Sequence, residues 1–485
     1  MTSSIFPTRF ALLLACAAAC AWAPGAGARD AMPPAILKSL ETLRAPPNSV
    51  SIFVQDARSD EIVLAFNADA ARQPASTIKT LTTIAALDLL GPAYAWKTRA
   101  YVTGSVRRGA LDGDLIIVGG GDPYMVSERW WSFVSQLRQT GLSTIDGDIV
   151  IDRSYFAQQE EDRASFDGQP YRSYNVIPDA LMVNFQTSKF TIGADAAPSG
   201  DGKFANISID PLPANLELDN QVRLGAGNCR RAQQGLRFSM PQGPAGNTLN
   251  VRGVAPRNCG RYTVARAIMS APEYAYGTFR TLWSQTGGAI KGKLRLAPLP
   301  QNSRLLHEFD SLPMGEVVRL VNKYSNNVMA RHLLLTLGAE KFGAPATVDN
   351  GRRAVNHWMS ERNIVIPGFV LDNGSGLSRE ERITARGLGQ ILHAAWHSQF
   401  MPEFFASLPL AATDGTLRHR FSAAGMQGRI RMKTGHIDDV ANLAGYVNAV
   451  SGKQYIVVIF VNFPGAHLGV GDDIQAAVLR WVFAQ

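Results

Sequence analysis

Apolar residues recur at three- and four-residue steps in Ile78, Leu81, Ala85 and Leu89, and Gly91-Pro92 follows. That spacing predicts an amphipathic helix with a stop signal at its end. Upstream, Ser49–Gln55 and Glu61–Phe66 read as two strands, and Ala57-Arg58-Ser59-Asp60 between them predicts a hairpin turn. Near the other end, Arg429–Thr434, Val440–Val450 and Tyr455–Asn462 are three more strand-like runs. Their short connections, His436–Asp439 and Ser451–Lys453, predict an antiparallel meander. Helical patterns cover Met314–Asn322, Asn327–Leu337 and Thr384–His397, with Tyr324-Ser325-Asn326 at the break between the first two. Ile474–Phe483 is a closing helix whose apolar face predicts core rather than a membrane anchor. Strands at both chain ends with helices between them predict an α+β fold, with one five-stranded antiparallel sheet drawn from both ends.

The middle of the chain has a different texture. From about Trp96 to Asp310, Gly, Pro and Asn are frequent and the strand-like runs are short: Asp114–Val118, Gly147–Asp152, Phe204–Asp210 and Thr248–Arg252. Trp130–Gln139 is a small predicted helix. All eight histidines lie at His307 or later. This block reads as material inserted within another domain. Gly119-Gly120-Gly121-Asp122-Pro123 lacks both the Gly-Lys-Ser/Thr ending of a phosphate loop and the spacing of a dinucleotide fingerprint, so it reads as a strand-end turn.

Composition narrows the class. A chain of 485 residues is expected to hold two or three domains, and 46% apolar residues make it ordinary and globular. The net charge of +8 comes from scattered basic residues without a Lys/Arg block, which argues against nucleic acid and suits an anionic polymer. Residues 1–28 read as a secretory signal peptide: Arg9, an apolar run Phe10–Ala23, then Ala26-Gly27-Ala28. Leu13-Leu14-Ala15-Cys16 resembles a lipoprotein cleavage site, but it would leave an apolar core of only six residues. No later segment has 18 consecutive apolar residues, so no transmembrane helix is expected in the mature chain. Cys16 and Cys20 go with the leader. Cys229 and Cys259 then remain as a lone pair in an exported protein, which predicts a disulfide worth roughly 3 kcal/mol in the chain-entropy model. Two buried free thiols are the other reading.

Three short stretches carry candidate chemistry. Pro74-Ala75-Ser76-Thr77-Ile78-Lys79 puts Ser76 at a helix start, with Lys79 one turn later on the same face. A serine hydroxyl needs a base, and lysine can serve only as a neutral amine. Its pKa must therefore fall by roughly 3 units, through desolvation or a second cation such as Lys433. Helix-start N–H groups would also favour an oxyanion at Ser76. Ser325 and Asn327 lie beside a helix start, where a hydroxyl could relay a proton and an amide could hold the lysine and the substrate. Lys433-Thr434-Gly435 ends a strand, offering a charge, a hydroxyl and a glycine that admits a peptide backbone.

Ser-x-x-Lys, Ser-x-Asn and Lys-Thr-Gly in that order resemble the serine penicillin-binding and β-lactamase superfamily. Ser76 and Ser325 are 249 residues apart, wider than in β-lactamases. That insertion, together with Asn373-Gly374-Ser375-Gly376-Leu377-Ser378-Arg379, Asp414-Gly415-Thr416-Leu417-Arg418 and Leu443-Ala444-Gly445-Tyr446-Val447, resembles the low-molecular-mass class C penicillin-binding proteins. The resemblance implies a transpeptidase-like domain with two nested inserted domains. The expected division is a catalytic domain of 29–96 and 306–485, an inserted domain of 97–121 and 185–305, and an inner one of 122–184. It implies a D-alanyl-D-alanine carboxypeptidase and endopeptidase without cofactor or metal, periplasmic, acting on peptidoglycan stem peptides and acylated by β-lactams. It implies Ser76 as nucleophile, Lys79 as base, Ser325 and Asn327 in proton transfer and positioning, and Lys433 and Thr434 at the terminal carboxylate. Gly435 lets substrate approach, and the backbone N–H groups of Ser76 and His436 form the oxyanion hole, with His436 where relatives often have Thr or Ser. Arg379 is expected to touch the stem peptide.

Other readings are weaker. Gly374-Ser375-Gly376 lacks the outer glycines of an esterase elbow, since Asn373 and Leu377 stand there. His393 and His397 have a zinc-pair spacing, but position 394 is Ala rather than the Glu a metalloprotease needs. A class A β-lactamase would carry Glu-x-x-Leu-Asn after Ser325, and the chain has none there; Glu217-Leu218-Asp219-Asn220 is in the wrong order and spacing. A non-catalytic wall-binding protein on the same fold would not require all three motifs intact.

Overall fold

The computed structural model describes residues 32–196, 203–240, 247–423 and 425–485; the leader, with Cys16 and Cys20, lies outside the described residues. One sheet joins the two chain ends. Its strand order is Ile62–Phe66, Val50–Asp56, Gln454–Asn462, Val440–Asn448 and Ile430–Ile437, and every neighbouring pair is antiparallel. The expected five-stranded sheet is therefore present.

Its central strands are apolar at successive positions because both faces are covered. Side chains alternate between faces along a strand. Tyr455, Val457, Ile459 and Val461 pack with Ile52 and Val54 against Ile36 and Leu40 of helix Pro34–Thr42 and Ile474, Val478 and Val482 of helix Val470–Phe483. Ile456, Val458 and Phe460 join Phe53 in the opposite core, with Leu81 and Ile84 of helix Lys79–Leu90, Val317 of helix Met314–Tyr324, Leu333 of helix Asn327–Phe342 and Leu388 of helix Ala385–Trp396. Each fully buried Val, Ile or Leu contributes about 1.5–3 kcal/mol before entropy is charged.

The helix Lys79–Leu90 departs from the expected amphipathic form. Every residue from Lys79 to Leu87 is buried, so it is the inner strut of the helical layer. Its threonines are tolerated because each hydroxyl finds a carbonyl: Thr80 on Thr77 (2.8 Å), Thr83 on Lys79 (2.7 Å) and Thr82 on Gly374 (2.7 Å). Gly91 ends it at φ 81°.

Between Trp96 and Ser311 the chain builds further sheets. One runs Leu294–Leu296, Ile149–Asp152, Leu115–Val118, Lys97–Val102 and Arg304–Asp310; a second is Ala289–Ile290, Thr144–Ile145, Ala110–Asp112 and Ser105–Arg107. Helices Ser127–Gln139 and Ala271–Gln285 share their core through Trp130, Phe133, Phe279 and Trp283. Two three-stranded sheets follow, Ala205–Asp210 with Ser188–Ala196 and Tyr262–Arg266, and Glu217–Gly225 with Thr248–Pro256 and Arg237–Ser239. The Cys229–Cys259 disulfide is formed, with Cα atoms 5.2 Å apart.

Strand pairing crosses the expected boundary at 121/122. Ile149–Asp152, assigned to the inner insert, lies between Leu115–Val118 and Leu294–Leu296 of the outer one. Gly119–Pro123 follows strand Leu115–Val118 as the expected strand-end turn, and strands on both sides of it share one sheet. Arg304–Asp310 pairs with Lys97–Val102 across the expected boundary at 305/306, and we propose that the insertion extends to Asp310. We propose 188–266, with its two small sheets, as the nested unit.

Candidate active site

Ser76 lies in a 3-10 turn, Ala75–Ile78, that runs directly into the helix beginning at Lys79. The turn is fastened to the sheet: Asn462 Oδ1 accepts from Gln73 N–H at 2.9 Å, and Asn442 Nδ2 donates to Gln73 O at 2.8 Å. Ser76 makes no helix cap. Instead its Oγ takes a hydrogen bond from Lys79 Nζ at 2.9 Å.

Lys79 is fully buried. Its amine also donates to Asn327 Oδ1 at 2.7 Å and to the Ser375 carbonyl. Three acceptors satisfy the three protons of an ammonium; loss of one proton leaves a lone pair with Ser76 Oγ–H in reach. Burial pushes the Lys79 pKa down to about 7, and the charge of Glu381 opposes that shift. A large part of the population is therefore a neutral amine near neutral pH.

The second motif sits where two helices meet. Ser325 ends helix Met314–Tyr324 in the left-handed conformation, φ 55° and ψ 38°. Asn326 caps the next helix by accepting from Met329 N–H at 3.0 Å, and Asn327 opens it. The reversal turns Ser325 Oγ toward Lys433, whose Nζ donates to it at 2.8 Å and to the Thr434 carbonyl at 2.8 Å. Lys433 is fully buried, and burial followed by repulsion from Lys79 holds its pKa well below the usual lysine range.

Strand Ile430–Ile437 is the last strand of its sheet and passes beside the Ser76 turn. A Cβ on Gly435 would stand 2.6 Å from Pro74 O, so only glycine permits this approach. Thr434 Oγ1 bonds Thr416 Oγ1 at 2.9 Å. The loop carrying Thr416 is anchored by Asp414 on the buried Lys323 at 2.6 Å. His436 is exposed, its ring 6.0 Å from that of His467, and burial of its neighbourhood lowers its pKa. Arg379 stays at the rim, 3.4 Å from Asp438, with its guanidinium 4.7 Å from the ring centre of Phe166 in the insertion. A cavity of ≈ 340 Å³ between the Ser325 turn and the insertion is lined by Tyr174, Phe185 and Asn327.

The structure thus brings Ser76, Lys79 and Asn327 into one hydrogen-bonded cluster and Ser325, Lys433 and Thr434 into another, adjoining through the Ser325–Asn327 turn. Three contributors were not foreseen: the Ser375 carbonyl, Thr416 and Glu381. Ser375 enters the sequence reading within the Asn373–Arg379 stretch and as a rejected nucleophile, and its main-chain oxygen carries no signal of its own. His393 and His397 stack edge to face with ring centres 4.6 Å apart, and among the described residues no group of three or more His, Cys, Asp or Glu is placed to hold a metal ion.

A sheet-and-helix fold with a serine hydroxyl bonded to a buried lysine defines a serine acyl-transfer enzyme of the penicillin-binding type. The chain belongs to the D-Ala-D-Ala carboxypeptidase 3 (S13) family, whose profile matches residues 36–484. It is 29% identical over 446 residues to the D-alanyl-D-alanine carboxypeptidase of Actinomadura sp. (strain R39), covering 89% of this chain and 81% of that protein. It is 24% identical over 424 residues to D-alanyl-D-alanine carboxypeptidase DacB of Haemophilus influenzae, 87% of each chain. The crystal structure of penicillin binding protein 4 (dacB) from Haemophilus influenzae superposes with a TM-score of 0.78 at 21% identity, over 93% of this chain and 99% of that one. That protein has also been solved with a β-lactam bound, at a TM-score of 0.75 to this chain.

Proposed function

We propose that this chain is a periplasmic serine D-alanyl-D-alanine carboxypeptidase of peptidoglycan stem peptides, with endopeptidase activity on D-alanine cross-links, and that β-lactams acylate it at the same serine. The observation that carries the reading is the buried Lys79 amine 2.9 Å from Ser76 Oγ. Neutral Lys79 takes the proton of Ser76 as Oγ bonds to the carbonyl carbon between two D-alanines. The oxyanion is received by the backbone N–H groups of Ser76 and His436. Lys433 and Thr434 Oγ1 hold the terminal carboxylate, and Asn327 keeps Lys79 aimed while contacting the substrate backbone. As the tetrahedral centre collapses, the C–N bond breaks and the departing amine takes a proton from Lys79, relayed through Ser325 Oγ. Water then attacks the acyl-enzyme, gives its proton to Lys79, and Ser76 leaves with that proton. Arg379 contacts the stem peptide from the rim.

Mass spectrometry of digested peptidoglycan fragments tests this. Loss of one D-alanine from pentapeptide stems, together with cutting of cross-linked dimers, is expected. Intact stems and intact cross-links would overturn it. Fast, sustained nitrocefin turnover without a persistent adduct would point to a β-lactamase instead.

A further inference from the structure

Behind Lys79 lies a carboxylate that the mechanism does not use. Glu381 is fully buried. Its Oε1 accepts from the backbone N–H groups of Asn373 (3.2 Å) and Gly374 (3.1 Å), and its Oε2 has no hydrogen-bond partner among the described residues. The loop it holds is the one that faces the base: the Ser375 carbonyl receives Lys79 Nζ and lies 3.5 Å from Ser76 Oγ. Asn373 Oδ1 braces the same loop through Ser375 N–H (3.0 Å) and Ser375 Oγ–H (2.6 Å), and Thr82 of the central helix ties down the Gly374 carbonyl at 2.7 Å.

The charges around this pair come from few elements. Lys433 faces Lys79 from the edge strand. Asp372 lies on the loop itself and is paired with Arg352 at 2.7 Å. Ser76 and Asn327 are neutral. Glu381 is thus the buried carboxylate whose charge acts on Lys79, while the second fully buried lysine, Lys433, is repelled by Lys79. A buried cation without a counter-charge loses its proton.

We propose that Glu381 is a positioning residue of this site: it clamps the Asn373–Ser375 loop on Lys79, and its negative charge sets the pH at which Lys79 becomes a base. The proposal rests on the reading of Lys79 as the base. Burial and the nearby Asp372 raise the Glu381 pKa to about 7, and attraction to Lys79 opposes that rise.

The test is the pH profile of β-lactam acylation in the wild-type chain and in Glu381→Gln, which keeps an oxygen for the two backbone donors and removes the charge. Ionised Glu381 favours the ammonium form of Lys79. Without it Lys79 faces only Lys433 and sheds its proton at lower pH, so the acid limb is expected to move down by about one pH unit. Glu381→Asp, which draws the charge back by one methylene, is expected to fall between the two and serves if the Gln variant does not fold. An acid limb that stays in place in a folded variant, with only the overall rate reduced, is what a packing role would give and overturns the proposal. Lys79→Ala separates the two levels. Lost acylation there with an unmoved limb in Glu381→Gln removes this inference alone, whereas full acylation in Lys79→Ala removes the base assignment it rests on.

Discussion

Replacing Lys79 by Met should reveal what burying the base costs. The side chain keeps its approximate length and loses its charge. In the folded chain the Lys79 pKa is about 7, against a reference near 10.4 in an unfolded chain. A lysine whose folded pKa is depressed destabilises the fold. The cost is complete below about pH 7, where both states are protonated, and is relieved as pH rises toward 10.4. At 1.36 kcal/mol per tenfold change, the gap between about 7 and 10.4 is on the order of 4–5 kcal/mol, of which about 2 should be relieved between pH 7 and pH 9. Methionine removes this dependence but orphans Asn327 Oδ1 and the Ser375 carbonyl, which costs about 1–3 kcal/mol each. The absolute change at one pH therefore mixes opposing effects, while the change with pH reads the titration of Lys79 together with its coupling to Glu381. Urea unfolding of both proteins at pH 7, 8 and 9 is the assay. Wild-type stability should climb relative to Lys79→Met by about 2 kcal/mol over that range. Parallel curves would mean that Lys79 is an ordinary charged lysine in the fold, and the case for a neutral base would be lost.

Two further outcomes follow. Lys433→Ala should lower kcat/KM roughly 10- to 100-fold for substrates with a free terminal carboxylate, the 1.5–3 kcal/mol of a hydrogen bond to a charged group, and far less for the same substrates amidated; equal loss on both would remove Lys433 from carboxylate binding. Replacing Cys229 and Cys259 together by Ser should destabilise the inserted unit by roughly 3 kcal/mol while leaving penicillin labelling of Ser76 at the wild-type level, because the bridge lies at the surface of the insertion and outside the core that holds Lys79; lost labelling would contradict that separation.

The sheet and the motif-bearing helices could be read from the sequence because strands such as Gln454–Asn462 are short continuous apolar runs and helices such as Met314–Tyr324 carry strong helical periodicity. The helix Lys79–Leu90 was read with one apolar face, since its threonines resemble a polar stripe; only the carbonyls of Thr77, Lys79 and Gly374 show how they are accommodated. The insertion was far less legible. Lys97–Val102 has two basic residues in six, and its pairing with Arg304–Asp310 depends on contacts about 200 residues apart. Glu217–Gly225 pairs in parallel with Thr248–Pro256, which requires a crossover and leaves no two-residue hairpin to read between them. Ala271–Gln285 carries one local sign, the Ser270–Glu273 capping box. In the site, Ser76, Lys79, Ser325, Asn327 and Lys433 stand out because each belongs to a motif of fixed spacing. Glu381 lies in Arg379-Glu380-Glu381-Arg382, a run that looks like a solvated surface turn. Glu380 is indeed exposed, and its neighbour is fully buried only because the loop folds back over the central helix.

The proposed mechanism puts the acyl group on Ser76 Oγ. Intact-mass analysis of the wild-type chain and Ser76→Ala after incubation with benzylpenicillin, followed by peptide mapping, tests it most directly. The wild-type chain should carry one adduct on the peptide containing Ser76, and the variant none. An adduct on the variant, or one mapped to any other residue of the wild-type chain, would contradict the account.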